Sequence, residues 1–324
     1  MNTLYPLKFQ PLFHYRIWGG DKLRTVLNKD YSENNIGESW EISTVPGNES
    51  VVSKGSLKGN TINELIKEYG ADFLGENVLE RFGTDFPLLI KFIDAKTPLS
   101  IQVHPDDVLA KKRHNSFGKN EMWYVMGADK DAELIIGFNK LLDKKSYKAS
   151  IEKGDIEEAL NKVKVLEGDT FFIPAGRVHA IGAGVMIAEI QQTSDVTYRI
   201  FDFNRVDEKT GATRELHTEQ SVDAIDFNLI DNYKTVYSLS EANNKLVHTR
   251  YFKTNILNIQ GNISLTVSKK ESFKILICIE GDVDILYQNK MEMLNRGETI
   301  LLPASLDYKV LISATNAKIL EVYI

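Results

Sequence analysis

The sequence predicts a mainly β fold of two small barrel or sandwich modules with helical additions, on three observations. Short runs rich in β-branched and aromatic residues recur along the chain, bounded by turn residues. Strands and helices do not alternate in the way a doubly wound sheet requires. One framework of residues occurs twice, which points to duplicated modules. With 324 residues the chain has the length of one large or two ordinary domains, each able to bury its own core.

Taken in order, Thr61 to Phe82 reads as helical. Thr61 and Glu64 stand at capping-box spacing, Ile62, Leu65, Ile66 and Tyr69 share a face, and Gly70, Gly75 and Gly83 break the run. The segments PLLIKFID (87–94), LSIQVH (99–104), EMWYVMG (121–127) and AELIIGF (132–138) read as strands. A second helical stretch is expected from Lys144 to Val163, with Ile151, Ile156, Ala159, Leu160 and Val163 apolar and an interruption at Gly154. DTFFIPA (169–175), VMIAEIQQ (185–192) and TYRIFDF (197–203) read as further strands.

The repeat organises these elements. Residues 168–179 and 297–308 share the framework Gly-x5-Pro-Ala at an offset of 129, and EMWYVMG finds a looser counterpart in ILICIEG (275–281) at an offset of 154. The first copy then carries about 25 extra residues between its halves, which the helix near 144–163 accounts for. Chance recurrence of Gly, Pro and Ala in an apolar strand is the competing reading. Residues 1–240 are expected to form the first module with its helical insertions and 251–324 the second, with the polar stretch TVYSLSEANNKLVHTR (235–250) as linker.

Composition narrows the function classes. An apolar share of 43% with 26% charged residues and only 8 Pro excludes a disordered or fibrous chain. No apolar run approaches the ~18 residues of a membrane span, and the N-terminus lacks a leader pattern, so the mature chain is expected to start at or near Met1. A lone cysteine, Cys278, cannot form an internal disulfide and fits a reducing compartment, hence an expected cytoplasmic location. A net charge of -6 is the wrong sign for binding a nucleic-acid backbone. Any anionic ligand must be small and met by a local basic pocket.

The histidines carry the chemistry. In the first copy, Gly168-x5-Pro174-x-Gly176-x2-His179 has the spacing of the second cupin motif, so the segment resembles the cupin superfamily of small jelly-roll barrels. Gly168 permits a turn, five residues form a strand, Pro174 ends it, and Gly176 lets the chain bend so that His179 points into the barrel. Upstream, Gln102 and His104 lie two apart on one strand, hence on one face, and Glu121 opens the next strand. Two imidazoles, one carboxylate and an amide oxygen suffice for a borderline divalent ion with a position left open. Taken singly, either histidine reads more readily as a hydrogen-bonded core residue; the pair together with the motif favours metal binding. His14, His114, His217 and His248 lack such partners. The second copy has Tyr308 in place of His179 and no histidine in ILICIEG, so the C-terminal module is expected to be degenerate, a structural or lid-forming unit.

Four strings carry a closer resemblance: PLLIKFIDAKTPLSIQVHPDD (87–107), GKNEMWYV (118–125), GRVHAIGAGVMIAEIQQTSDVTYRIFDFNR (176–205) and IWGG (17–20). Over almost its whole length the chain resembles type I mannose-6-phosphate isomerases of the bacterial kind. That resemblance implies one zinc ion per chain at Gln102, His104, Glu121 and His179. It also implies an active-site arginine at Arg199, proton-handling residues at Lys119 and Glu189, and phosphate contacts at Lys91 and Ser100. The implied reaction interconverts mannose 6-phosphate and fructose 6-phosphate through a cis-enediol(ate), with a small sugar phosphate as partner, no nucleic acid and no membrane. Nothing in the sequence sets an oligomeric state. The large helical insertion of the longer eukaryotic members is missing, which leaves open how the pocket closes on that side.

The residues alone leave alternatives. Two histidines and a carboxylate also serve iron oxygenases, and a non-catalytic sugar-binding cupin could keep the barrel. Lys91 and Lys119 could be solvated surface lysines, Glu189 could pair structurally with an arginine such as Arg199, and Trp18 and Trp40 could be plain core.

Overall fold

The computed structural model describes residues 3–306 and 309–324; Tyr308, the expected counterpart of His179, lies outside the described residues. Two antiparallel sheets form the N-terminal part. One runs in spatial order Leu12–Gly20 (β1), Ile36–Ile42 (β2), Leu88–Ala95 (β3), Val185–Gln192 (β10), Glu121–Ala128 (β5) and Thr170–Ile173 (β8). The other runs Tyr198–Phe201 (β11), Ile101–Val103 (β4), His179–Ile181 (β9), Glu133–Phe138 (β6) and Leu160–Lys164 (β7). Trp18, Ile93, Trp123, Ile136, Phe171 and Ile187 pack into a core that draws on both sheets.

The six-stranded sheet is covered on both faces, which explains why β3 and β10 read as continuous apolar runs and not as alternating ones. Ile93 and Ile187 face the first core, whereas Ile90, Phe92, Ala188 and Ile190 face a second. The polar interruptions Lys91 and Glu189 share the parity of Ile93 and Ile187, and so turn toward the interior between the sheets.

The C-terminal sheet follows the order Asn243–His248 (β12), Lys253–Thr266 (β13), Lys309–Tyr323 (β18), Lys274–Glu280 (β14) and Thr299–Leu302 (β17), with Asp282–Tyr287 (β15) and Lys290–Asn295 (β16) attached through β18. It has its own core, with Leu257, Leu276, Cys278, Ile300 and Ile319. The second core is shared. Ile90 and Phe92 of β3, Leu65 and Phe73 of the helical segment, and Ile275, Leu301 and Leu320 of the C-terminal sheet form one cluster. Phe86 stacks on Phe273 with ring centroids 4.9 Å apart. Each part thus keeps a core of its own, and the two bury a common face besides.

The repeat acquires a register. The β5/β8 ladder from Glu121↔Ile173 to Tyr124↔Thr170 is matched by the β14/β17 ladder from Lys274↔Leu302 to Ile277↔Thr299. The β10/β5 ladder skips Met126, and the β18/β14 ladder skips Ile279, an irregularity at the same place. These pairings set the offset of the strand at 153, one less than the sequence alignment. In that register the glycines of EMWYVMG and ILICIEG fall one residue apart, and the ladder position of Glu121 is matched by Lys274, not Ile275.

Two expectations for local structure are corrected. The helix begins at Lys144 but ends at Lys153, where Gly154 (φ +78°) closes it; a 3-10 turn follows, and Leu160–Lys164 is β7. Leu160 and Val163 fit a helical face by spacing, but pairing with Phe138 and Leu134 of β6 decides their conformation. The second half of the supposed linker is β12, a strand of the C-terminal sheet paired with β13. The three short helices Ile62–Tyr69, Ala71–Leu74 and Glu76–Phe82 follow the predicted glycine breaks, with the Thr61–Glu64 capping box in place.

Candidate active site

The glycines of the turn motif do what the spacing asks. Gly168 (φ +90°) and Gly176 (φ +87°) occupy the left-handed region, where a side chain is strained, and a Cβ on Gly176 would meet the Ala224 carbonyl at 3.0 Å. His179 opens β9 and pairs with Gln102 of β4, which pairs in turn with Arg199 of β11. Three of the expected site residues thus form one row across the five-stranded sheet. His104 follows directly after β4, and Glu121 begins β5 in the opposite sheet.

His104, Glu121 and His179 are buried, and their ligand atoms lie within 4.8 Å of one another; among the described residues this is the grouping that could hold a metal ion. The imidazoles are aimed by their outer nitrogens. Nδ1 of His104 donates to the Val196 carbonyl at 3.0 Å, and Nδ1 of His179 donates to the Arg177 carbonyl at 2.8 Å. A carbonyl can only accept, so each Nδ1 carries the proton and each Nε2 presents its lone pair inward. Burial, then the Lys119 charge, pushes His104 well below the usual histidine range and His179 down to about 3. Both are neutral, the form that ligates.

Glu121 supplies the charge. Its Oε1 is buried without a hydrogen-bond partner, 3.3 Å from His179 Nε2, while Oε2 accepts from Lys119 at 2.5 Å. Burial pushes this carboxyl up, against the pull of Lys119. A divalent cation among these atoms would satisfy the orphaned oxygen and keep the carboxylate ionised. Gln102 reaches the same point: its amide lies 3.2 Å from His179 Nε2, and turning the amide over presents its oxygen there. Two neutral imidazoles, a carboxylate and an amide oxygen fit a borderline divalent ion.

Beside this cage opens a cleft of about 420 Å³ that Gln102, Lys119, Glu189, Arg199, Lys91 and Ser100 all line. The lysines are not surface groups; Lys91 and Lys119 are 6% and 4% exposed. Burial works against the Lys119 charge, but Glu121 and Glu189 outweigh it and raise its pKa. Glu189 accepts from Trp123 Nε1 at 2.9 Å and lies 3.2 Å from Lys91 Nζ. Burial alone would neutralise it, but Lys91 and Lys119 hold it below the ordinary carboxylate range. Glu189 is therefore an ionised carboxylate facing the cleft.

The alternative reading, in which Glu189 pairs structurally with Arg199, is not what the structure has. The two lie in different sheets and face each other across the interior: Glu189 pairs with a lysine, whereas Arg199 donates to the Glu215 carbonyl at 2.8 Å and keeps Nε buried and unpartnered. His217, read as uninvolved, accepts from the Arg199 backbone N–H through Nδ1 at 3.1 Å. Trp18 and Trp40 are both buried and also line the cleft, so core and wall are the same residues here.

Sequence reasoning missed part of the wall. Arg16 grips Glu38 through two bonds of 2.9 Å, and Trp40 Nε1 donates to the same carboxylate at 2.7 Å. Arg16, Lys91 and these donors overcome burial and hold Glu38 far below the usual carboxylate range. The alternation of Glu38 and Trp40 on β2 was the available signal. Asp195, Asp207 and Arg214 complete the rim.

Comparisons with known proteins agree with this geometry. The family model for the catalytic domain of type I phosphomannose isomerase matches residues 6–167, and that for the mannose-6-phosphate isomerase cupin domain matches 242–323. A mannose-6-phosphate isomerase of Bacillus subtilis is 37% identical over 94% of this chain and 95% of its own length. One of Streptococcus mutans is 35% identical, covering 92% of each. The crystal structure of the mannose 6-phosphate isomerase from Bacillus subtilis superposes with a TM-score of 0.90 at 32% identity, covering 98% of this chain and 99% of that one. Phosphomannose isomerase of Salmonella typhimurium shares the fold, with a TM-score of 0.78 at 18% identity. With both family models matched and relatives 35% and 37% identical over more than nine-tenths of its length, the chain belongs to the type I phosphomannose isomerase family.

Proposed function

We propose that the protein is an aldose-ketose isomerase that interconverts mannose 6-phosphate and fructose 6-phosphate with one zinc ion per chain. The observation that carries this reading is the convergence of the His104, Glu121 and His179 cage with Lys119, Glu189 and Arg199 on a single cleft. Gln102, His104, Glu121 and His179 would hold the metal. Bound there, zinc supplies polarisation of the sugar oxygens.

The chain's own residues do the rest. Glu189, ionised and desolvated, removes the proton from C2 of the aldose and delivers it to C1 of the cis-enediolate. Lys119, its ammonium directed at the cage, moves the second proton between O1 and O2. Arg199, with a free Nε and a permanent charge, stabilises the enediolate. Lys91 and Ser100 meet the phosphate, Lys91 also neutralising Glu189. Purified protein mixed with mannose 6-phosphate should form fructose 6-phosphate by NMR, and chelator should stop it; metal-loaded protein that forms none overturns the reading. Arg199→Lys keeps the charge but loses the planar fork, and should lower kcat by ~10²–10³ without lowering the thermal midpoint. A metal-loaded variant with wild-type kcat removes Arg199 from the reaction.

We further propose that the two β modules are copies of one unit, meeting near residue 242, and that the C-terminal copy is a structural unit without metal. Beyond the matched ladders, Lys91↔Glu189 finds its counterpart in Asn255↔Glu321, and Glu189↔Trp123 in Glu321↔Leu276. Lys274 stands where Glu121 stands, and its ammonium is bonded to Glu321. A lysine at the carboxylate position supports the absence of a second metal.

A further inference from the structure

Lys119 and Glu121 sit on either side of Asn120, where the chain enters β5. The regular ladder with β8 begins only at Glu121, so the peptides that carry Lys119 need other anchors. Side chains supply most of them, beside a backbone bond from the Gln192 N–H to the Asn120 carbonyl at 3.1 Å. Gln192 Oε1 accepts from both the backbone N–H of Asn120 at 3.0 Å and its side-chain amide at 2.7 Å. Gln192 Nε2 donates to Asp107 Oδ1 at 3.0 Å, and the same oxygen accepts from the Gly118 N–H at 2.9 Å. Asn120 Oδ1 accepts from the Ala175 N–H at 3.0 Å, in the turn that leads to His179. The Lys119 N–H donates to the Pro105 carbonyl at 3.2 Å, one residue after His104.

We propose that Asn120, Gln192 and Asp107 are a positioning bracket: they set where Lys119 and Glu121 stand relative to His104 and His179, and so set metal affinity and the proton transfer assigned to Lys119. The proposal rests on the metal and isomerase reading above. None of the three is among the residues lining the cleft, so the bracket acts through the residues it holds. Asn120 and Gln192 are 4% and 5% exposed, whereas Asp107 is half-buried and its bonds to Gln192 and Gly118 lie at the edge of the interior. Each amide uses both a donor and an acceptor, so neither can be replaced by a carboxylate or an apolar group without losing a bond. Such polar groups around a metal typically change affinity or activity 10–100-fold when removed, because a ligand set tolerates little displacement.

Gln192→Glu tests the bracket, since it keeps the acceptor for Asn120 but sets a carboxylate against Asp107. Zinc affinity is measured on metal-free protein by chelator competition, and kcat and KM on the reloaded protein. Zinc affinity and kcat should fall about 10–100-fold with KM within about twofold. Adding Asp107→Asn removes the charge facing Glu, though an amide nitrogen turned there gives up the Gly118 acceptor, and should recover both at least about threefold. A folded Gln192→Glu protein with wild-type zinc affinity and kcat overturns the proposal, as does a loss that Asp107→Asn fails to rescue. If Gln192→Glu does not fold, Asn120→Ser measured in the same way decides by the same limits. Wild-type protein that binds no zinc would instead refute the metal reading itself.

Discussion

His179→Ala is expected to leave a folded protein that has lost its metal. The imidazole is the one cage member whose orientation depends on the whole turn motif, from Gly168 through Gly176 to its own Nδ1 bond with Arg177. Removing it leaves one imidazole, one carboxylate and one amide, too few strong donors for tight binding of a borderline ion. Metal affinity should fall by well over ~10²-fold, since loss of an outer-shell partner alone costs 10–100-fold. The fold should survive, because Trp123, which packs edge-on against the ring at 5.4 Å, belongs to a core with many other members. Metal counting on purified protein checks both parts: one ion per wild-type chain and nearly none in the variant. A wild-type value near two would refute the degenerate C-terminal copy, and a variant with wild-type metal would remove His179 from the ligand set.

Glu189→Gln is expected to lower kcat by ~10²–10⁴ while KM changes little. The amide is isosteric and its oxygen can still accept from Trp123, so the side chain keeps its place, but it cannot take a proton from carbon. Lys91 loses its partner at 3.2 Å but retains Glu38 as a nearby opposite charge. A thermal midpoint close to wild type and an intact metal count separate loss of a base from loss of structure. Exchange of the substrate's C2 hydrogen with solvent should slow with turnover. Wild-type exchange in Glu189→Gln would mean that another group takes the proton.

The positions of the candidate ligands in or beside strands were legible in the sequence because their geometry is local. A turn glycine, a five-residue strand, a proline and a second glycine place His179 by backbone conformation alone, and the two-residue period puts neighbouring side chains on alternate faces. The breaks at Gly70, Gly75 and Gly83 and the Thr61 cap were legible for the same reason. The segment 160–164 was not, because its apolar spacing suits a helix or a strand equally and only the partner strand β6 decides between them.

What the sequence by itself determined is the inventory: a mainly β chain, the clustered His104, Glu121 and His179, and the charged groups set in apolar strands. Tertiary structure alone decided the partnerships. Glu189 pairs with Lys91 because β3 and β10 are adjacent in register, though 98 residues separate them, while Arg199, only ten residues on, lies in the opposite sheet. The same non-local pairing brings Arg16 and Glu38 to the cleft, bonds Lys274 to Glu321, and joins the N- and C-terminal sheets through one shared core. Cross-strand neighbours are chosen by sheet order and register, which depend on burying apolar faces across the whole molecule, and local spacing carries no trace of that choice.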